Sequence, residues 1–283
     1  MSTLALSRLL PIALCVLFLC AGCPRNNQNS IVIAGSTSVE PFAERLAELY
    51  AVRQRRQAKG APKPVPMTEI NVQGGGSSAG IRAVQSGICQ IGMSSRALTA
   101  EEKGLHEIPI ALDAIVIVVN RDNPVRSITL EQARGIFSGY IRSWHELGGP
   151  RRPITVITRE DGSGTRASFE EEAMTGDDKA TRPFARDALV QDSNGAVREI
   201  VAGDPAAIGY ISFGLVDERV RALELDGVAP SESTVKSGTY PITRKFLFLT
   251  KEAPAGPVKD FIDYVLSPDG QHVLADEGLV RLQ

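Results

Sequence analysis

From Ile31 to Met93 the chain runs through one pattern twice: a short apolar run, a glycine- and serine-rich turn, then an amphipathic stretch. Ile31-Val32-Ile33-Ala34 ends at Gly35, and Pro41 to Gln57 then places Phe42, Leu46, Leu49 and Tyr50 on one helical face. Glu69-Ile70-Asn71-Val72 predicts a second strand, Ser78 to Ser86 a short helix, and Ile88 to Met93 a third strand. Strands alternating with helices at this spacing predict parallel pairing, with helices covering both faces. The pattern restarts after Ala114-Ile115-Val116-Ile117-Val118-Val119-Asn120, the strongest apolar strand. It gives a helix around Thr129–Phe137, a strand at Ile154–Thr158, a helix after Gly164 and a strand at Ala207–Ile211. A long strand over Tyr240–Thr250 and helices at Pro257–Leu266 and Pro268–Glu277 close the chain. The fold class is α/β throughout.

Composition excludes more than it selects. With 283 residues, 43% hydrophobic, the chain buries a sizeable core in one large domain or two smaller ones. Lysine and arginine total 31 against 33 acidic residues, a balance that argues against a general nucleic-acid binder. Aromatics are 5%, so no stacking surface for bases or sugars is expected. The basic, proline-rich piece from Arg53 to Pro66 reads as a solvated connection. His106, His145, His272 and the isolated Cys89 form no metal-ligand pattern, and neither metal nor cofactor is expected.

The N-terminus indicates the compartment. Arg8 precedes the apolar run Leu9 to Leu19, which Pro11 interrupts and which is short for a membrane span. Leu19-Cys20-Ala21-Gly22-Cys23 resembles the lipobox of bacterial lipoproteins, with Cys20 where leucine is usual. That resemblance implies a signal peptide over 1–22, lipidation of Cys23 and a polar tether to residue 30; the competing reading is an uncleaved anchor. Cys15 and Cys20 then leave with the signal, so no internal disulfide is expected. Cys89, within Gly87-Ile88-Cys89-Gln90-Ile91-Gly92, reads as a small core residue.

Three turns carry the candidate chemistry, each following a strand and opening a helix: Gly35-Ser36-Thr37-Ser38, Gly74-Gly75-Gly76-Ser77-Ser78 and Arg159-Glu160-Asp161-Gly162-Ser163-Gly164-Thr165. A helix N-terminus offers unpaired N–H groups and a positive dipole end, glycines let the backbone approach a ligand, and hydroxyls add neutral donors. Any one such turn reads equally as an ordinary helix cap. Together, with Arg159 supplying a planar fork of donors, they point to an oxyanion. Asp161 is placed to orient that guanidinium. No Gly-Lys-Ser/Thr follows the glycines, so none of the turns is a nucleotide P-loop.

These turns, with Met93-Ser94-Ser95-Arg96, Ala207-Ile208-Gly209-Tyr210 and Tyr240-Pro241-Ile242-Thr243-Arg244, resemble in order the phosphate-binding proteins of high-affinity phosphate ABC transporters, the PstS family. The resemblance spans essentially the whole mature chain. It implies the two-lobed periplasmic binding protein fold of type II, with lobe I over 31–117 and 239–283 and lobe II over 118–238. It implies inorganic phosphate bound between the lobes by Thr37, Ser38, Ser77, Ser95, Arg159, Ser163, Gly164 and Thr165, with Ser78, Arg96 and Asp161 in support. Delivery to permease subunits by a monomeric, lipid-anchored, extracytoplasmic receptor follows from the same likeness. One position departs: Ser95 stands where well-known members have an aspartate that accepts a proton from phosphate and excludes sulfate. A hydroxyl accepts one hydrogen bond but does not repel a fully deprotonated anion. Alternatives are a receptor for sulfate or molybdate, a surface lipoprotein that has lost transport, and a serine hydrolase built on Ser163, for which no base is apparent.

Overall fold

The computed structural model describes residues 29–63 and 66–282; the expected signal peptide and Cys23 lie outside them. The first half-sheet is built from β1 (Ser30–Gly35), α1 (Glu40–Gly60), β2 (Glu69–Gln73), α2 (Ser77–Gln85) and β3 (Ile91–Ser94), followed by the long β4 (His106–Asn120). Next come β5 (Ser127–Ile128), α3 (Leu130–Phe137), β6 (Thr155–Arg159), α4 (Gly164–Phe169), β7 (Leu189–Gln191), α5 (Asn194–Gly203) and β8 (Ala207–Ser212). The chain ends with β9 (Val220–Ala222), β10 (Glu224–Leu225), α6 (Glu232–Lys236), β11 (Thr243–Thr250), α7 (Gly256–Leu266) and α8 (Pro268–Asp276).

The strands line up as β2-β1-β3-β11-β4-β8-β6-β7, with β9 also on β4. Pairing is parallel at both ends, as the alternating pattern predicts, and antiparallel at β3–β11, β11–β4 and β4–β8. β4 and β11 therefore join two parallel half-sheets. Two large cores form along them. Phe42, Leu46, Met93, Ala111, Phe246 and Phe261 belong to one; Ala114 to Val119, Phe137, Trp144, Tyr210 and Ile242 belong to the other. β4 changes core between Ala111 and Ala114, and β11 between Ile242 and Phe246. The β4 run Ala114–Asn120 is buried at every position, which is why it reads as a continuous apolar segment without alternation. A register irregularity in β11 falls between Phe246 and Leu247, opposite Pro109, which has no N–H to give the ladder.

Two boundaries differ from expectation. β3 begins at Ile91, because Gly87 (φ 72°) ends α2 and the Ile88 N–H closes on Ala83 O at 2.9 Å; Ile88 is exposed, while Cys89 is buried. β11 begins at Thr243, just beyond Pro241, with Tyr240 packed into the second core.

Candidate anion site

The turns after β1, β3 and β6, and the start of α2, converge between the two cores. Gly80 of α2 lies so close to β1 that an added Cβ would stand 2.6 Å from Gly35 Cα, and the Gly76 N–H donates to Gly35 O at 2.9 Å. This close packing brings the first and second turns together. The third turn meets them from the opposite side: the Ser78 N–H donates to Gly162 O at 3.3 Å, and Gly164 lies directly against the hydroxyls of Ser77 and Ser95. Ser38, Ser77, Ser95, Arg159, Ser163 and Thr165 are all buried. The lobes are closed on one another.

Helix capping does not account for most of these hydroxyls. α1 is preceded by Val39 and α2 by Gly76, neither of which caps through a side chain. Ser36 Oγ donates to Ser95 Oγ at 2.9 Å, and Ser77 Oγ accepts the Ser95 N–H at 3.1 Å while lying 3.3 Å from Ser95 Oγ. Ser38 Oγ and Thr165 Oγ1 share a bond of 2.7 Å across the cleft. Ser163 alone of the expected site residues behaves as an ordinary cap, its Oγ accepting the Arg166 N–H at 3.2 Å.

Arg159 ends β6 and is 1% exposed. Its backbone N–H donates to Tyr210 Oη at 3.2 Å and its carbonyl accepts from Arg166 Nη1 at 2.8 Å. Tyr210 in turn stacks on Phe169 with centroids 4.1 Å apart; burial pushes its hydroxyl pKa up, against the bond from Thr158. The guanidinium donates from Nε and Nη2 to Glu160, 3.0 Å each, and from Nη2 to Thr37 Oγ1 at 2.9 Å and Asp192 O at 3.0 Å. Nη1 is buried and has no partner among the described residues. A buried guanidinium N–H without an acceptor is costly unless an anion takes it.

Two expected supports differ from expectation. Asp161 is almost fully exposed and pairs with Arg166 at 2.9 Å, so Glu160 orients Arg159 instead; the turn points Asp161 outward. Arg96 is pinned away by Glu102, at 2.7 and 2.8 Å, and of the expected site residues its guanidinium reaches only Ser78, whose Oγ accepts at 3.1 Å. Arg96's hydrogen bonds hold the Glu102 carboxyl down at about 2.

Three residues escaped the sequence reading. Ser36 is buried in the hydroxyl cluster. Asn194 opens α5 and donates from Nδ2 to Ser38 Oγ at 2.9 Å. The signal for it was present: Asp192-Ser193-Asn194-Gly195 is a fourth polar turn between a strand and a helix. Arg244 donates from Nη1 to Thr165 Oγ1 at 2.9 Å, and its place in an apolar strand gave no hint of this.

A buried guanidinium among hydroxyls that mostly cap no helix, shut between two α/β lobes, defines an anion receptor of the two-lobed binding-protein class. Comparison with known proteins agrees. Residues 24–269 match the model of the PBP superfamily domain. The Bacillus subtilis phosphate-binding protein PstS is 35% identical over 89% of this chain and 80% of its own length. A Clostridium perfringens substrate-binding protein assigned to phosphate ABC transport, solved with bound phosphate, superposes with a TM-score of 0.81. It is 38% identical over 90% of this chain and all of its own. An ABC-type phosphate transport receptor from Vibrio cholerae gives a TM-score of 0.70 at 36% identity, covering 88% of this chain and 99% of that one. The chain belongs to the PstS family of phosphate-binding proteins.

Proposed function

We propose that this protein captures inorganic phosphate between its lobes and delivers it to the permease of an ABC transporter. The observation that carries this reading is Arg159, whose buried, unpartnered Nη1 lies in a cleft lined by hydroxyls that cap nothing. Thr37, Ser38, Ser77, Ser95, Gly164 and Thr165 supply the remaining contacts, with Ser163 holding the third turn in shape. The expected division is lobe I over 31–117 with 239–283 and lobe II over 118–238; the two cores favour two lobes but move the boundaries to 112–113 and 243–245, because Ala114–Ile117, Tyr240 and Ile242 pack in the second core. Opening and closing about these strands lets donors from both sides gather around the anion, whose binding favours the closed form. Cys23 carries the lipid that holds a monomeric receptor at the outer face of a membrane. Among the described residues no helix is long and apolar enough to cross one.

The relatives named for phosphate binding and transport support a receptor, not an enzyme. The hydrolase reading has no base: His106, His145 and His272 are all exposed, and Ser163 Oγ is engaged as a cap. Calorimetric titration with phosphate, sulfate and molybdate tests the proposal. Micromolar or tighter phosphate binding is expected, falling by at least ~100-fold in Arg159→Ala, because several hydrogen bonds to a charged group are lost together. Indifference to phosphate overturns it.

A further inference from the structure

Arg244 is buried, 8% exposed, on one of the two strands that join the lobes, and it pairs in register with Asp113 on the other. Its Nε donates to Asp113 Oδ2 at 2.8 Å. Nη1 is committed to Thr165 Oγ1 and to Ser95 O, at 2.9 and 3.2 Å, both residues of the anion site. Nη2 also lies 2.8 Å from Asp113 Oδ2, but off the angle of a hydrogen bond, and has no other acceptor among the described residues.

These groups close a ring. Arg244 Nη1 donates to Thr165 Oγ1, which bonds Ser38 Oγ, which accepts from Asn194 Nδ2. Asn194 Oδ1 accepts the Ser212 N–H at 3.1 Å, Ser212 Oγ donates to Asp113 Oδ1 at 2.8 Å, and Asp113 returns to Arg244. Proton counting shows what the ring leaves over. Whichever of Ser38 and Thr165 donates to the other, one O–H stays unspent. That proton, Arg159 Nη1 and Arg244 Nη2 are all surplus donors. Each Asp113 oxygen accepts from a member of the ring, Oδ1 from Ser212 and Oδ2 from Arg244. Surplus donors on two guanidinium groups, each already paired with a carboxylate, suit an anion with several acceptor oxygens.

We propose that Arg244 is a second guanidinium of the anion site, and that Asp113 behind it sets how much of its charge the anion feels. This rests on the phosphate-receptor reading and deepens it. With serine at position 95, the Asp113–Arg244 pair supplies a carboxylate set behind the guanidinium that bonds both Ser95 and Thr165. Burial opposes charge on both members, while each favours the other's charged form. With the carboxylate kept behind the guanidinium, the anion meets N–H groups first and the negative charge only at a distance.

Calorimetric titration of the full-length chain with phosphate and with sulfate tests this, using Arg244→Gln, Arg244→Lys, Asp113→Asn and the double variant Asp113→Asn with Arg244→Gln. Arg244→Gln is expected to weaken phosphate binding about 10- to 100-fold, the loss of a charge-assisted contact, with Arg244→Lys recovering part of it. The double variant leaves no lone buried carboxylate, so it folds where the single one fails, and it binds equally weakly. Asp113→Asn is expected to act in the opposite sense, tightening both anions about threefold or more with sulfate gaining most, since the guanidinium charge is no longer offset. A merely structural ion pair predicts lower melting temperatures with unchanged affinities. Phosphate affinity within about twofold of wild type in a folded Arg244→Gln or double variant overturns the proposal. If that happens while Arg159→Ala still loses phosphate, only the role of Arg244 falls. If the wild type binds no phosphate, both readings fall.

Discussion

The two lobes meet the cleft with different chemistry. The lobe around β1 and β3 brings hydroxyls: Ser36, Thr37, Ser38, Ser77 and Ser95, with its nearby cation Arg96 tied to Glu102. The lobe around β6 and β8 brings charge, through Arg159, together with Thr165 and Asn194. Hydroxyls are adaptable; each donates or accepts by rotating one bond. A guanidinium is fixed in shape and charge, and here Glu160 clamps it while Tyr210 and Arg166 hold the backbone of the same residue. One lobe therefore recognises charge and the other closes over it as a compliant lid, with Arg244 reaching the site from β11, a strand that joins the two.

The sharpest way to break this division is to stop the lid from closing. Gly164 has no room for a side chain, since a Cβ would collide with the Ser77 and Ser95 hydroxyls of the opposite lobe. Gly164→Ala is expected to weaken phosphate binding by about 10- to 100-fold, the cost of overpacking a shut interface. Because the clash exists only between lobes, the ligand-free melting temperature stays within a few degrees of wild type. A large loss of thermal stability would show that Gly164 serves its own lobe instead.

Next in size is selectivity. Ser95→Asp places a carboxylate among hydroxyls beside the anion. Sulfate, which has no proton to give, is expected to lose about 10-fold or more relative to phosphate in a competition titration. Equal losses for both anions would mean that position 95 does not face the ligand. A smaller effect is expected from Ser38→Ala, which removes the bond to Thr165 but leaves Arg159 untouched: about 5- to 10-fold on phosphate, measured by the same titration.

How much of this was legible in the sequence follows from the same contrast. The parallel half-sheets and the three turns were readable because local signals mark them: apolar runs, glycines and hydroxyls in order along the chain. Arg159 stood out because it sits at the mouth of a glycine turn. Glu160 and Asp161 were exchanged, since a turn's local twist decides which of two adjacent carboxylates points inward. Arg244, quoted only as part of the late strand, and Asp113, not singled out at all, were left unassigned for a different reason. They are 131 residues apart and lie inside strands, and only antiparallel pairing of β4 with β11 places them together. Long-range register carries no local mark.

The smallest predicted effect tests whether the hydroxyl lobe really keeps its cation out of the cleft. Glu102 holds Arg96 with two bonds, and its carboxyl sits at about 2, below the ordinary 4.5. A carboxyl lowered on folding contributes stability above pH 4.5, and that contribution is lost as the pH falls toward 2. Glu102→Gln is therefore expected to lower the melting temperature by a constant few degrees from pH 6 to 8, with the difference from wild type starting to shrink below pH 4.5 and nearly gone at pH 2. Phosphate affinity should move by less than about threefold, because the released Arg96 gains only a loose approach to Ser78. A tenfold gain would place Arg96 in the site and give the hydroxyl lobe a charge of its own; a melting difference that persists at pH 2 would mean the Arg96 pair is not what lowers the Glu102 carboxyl.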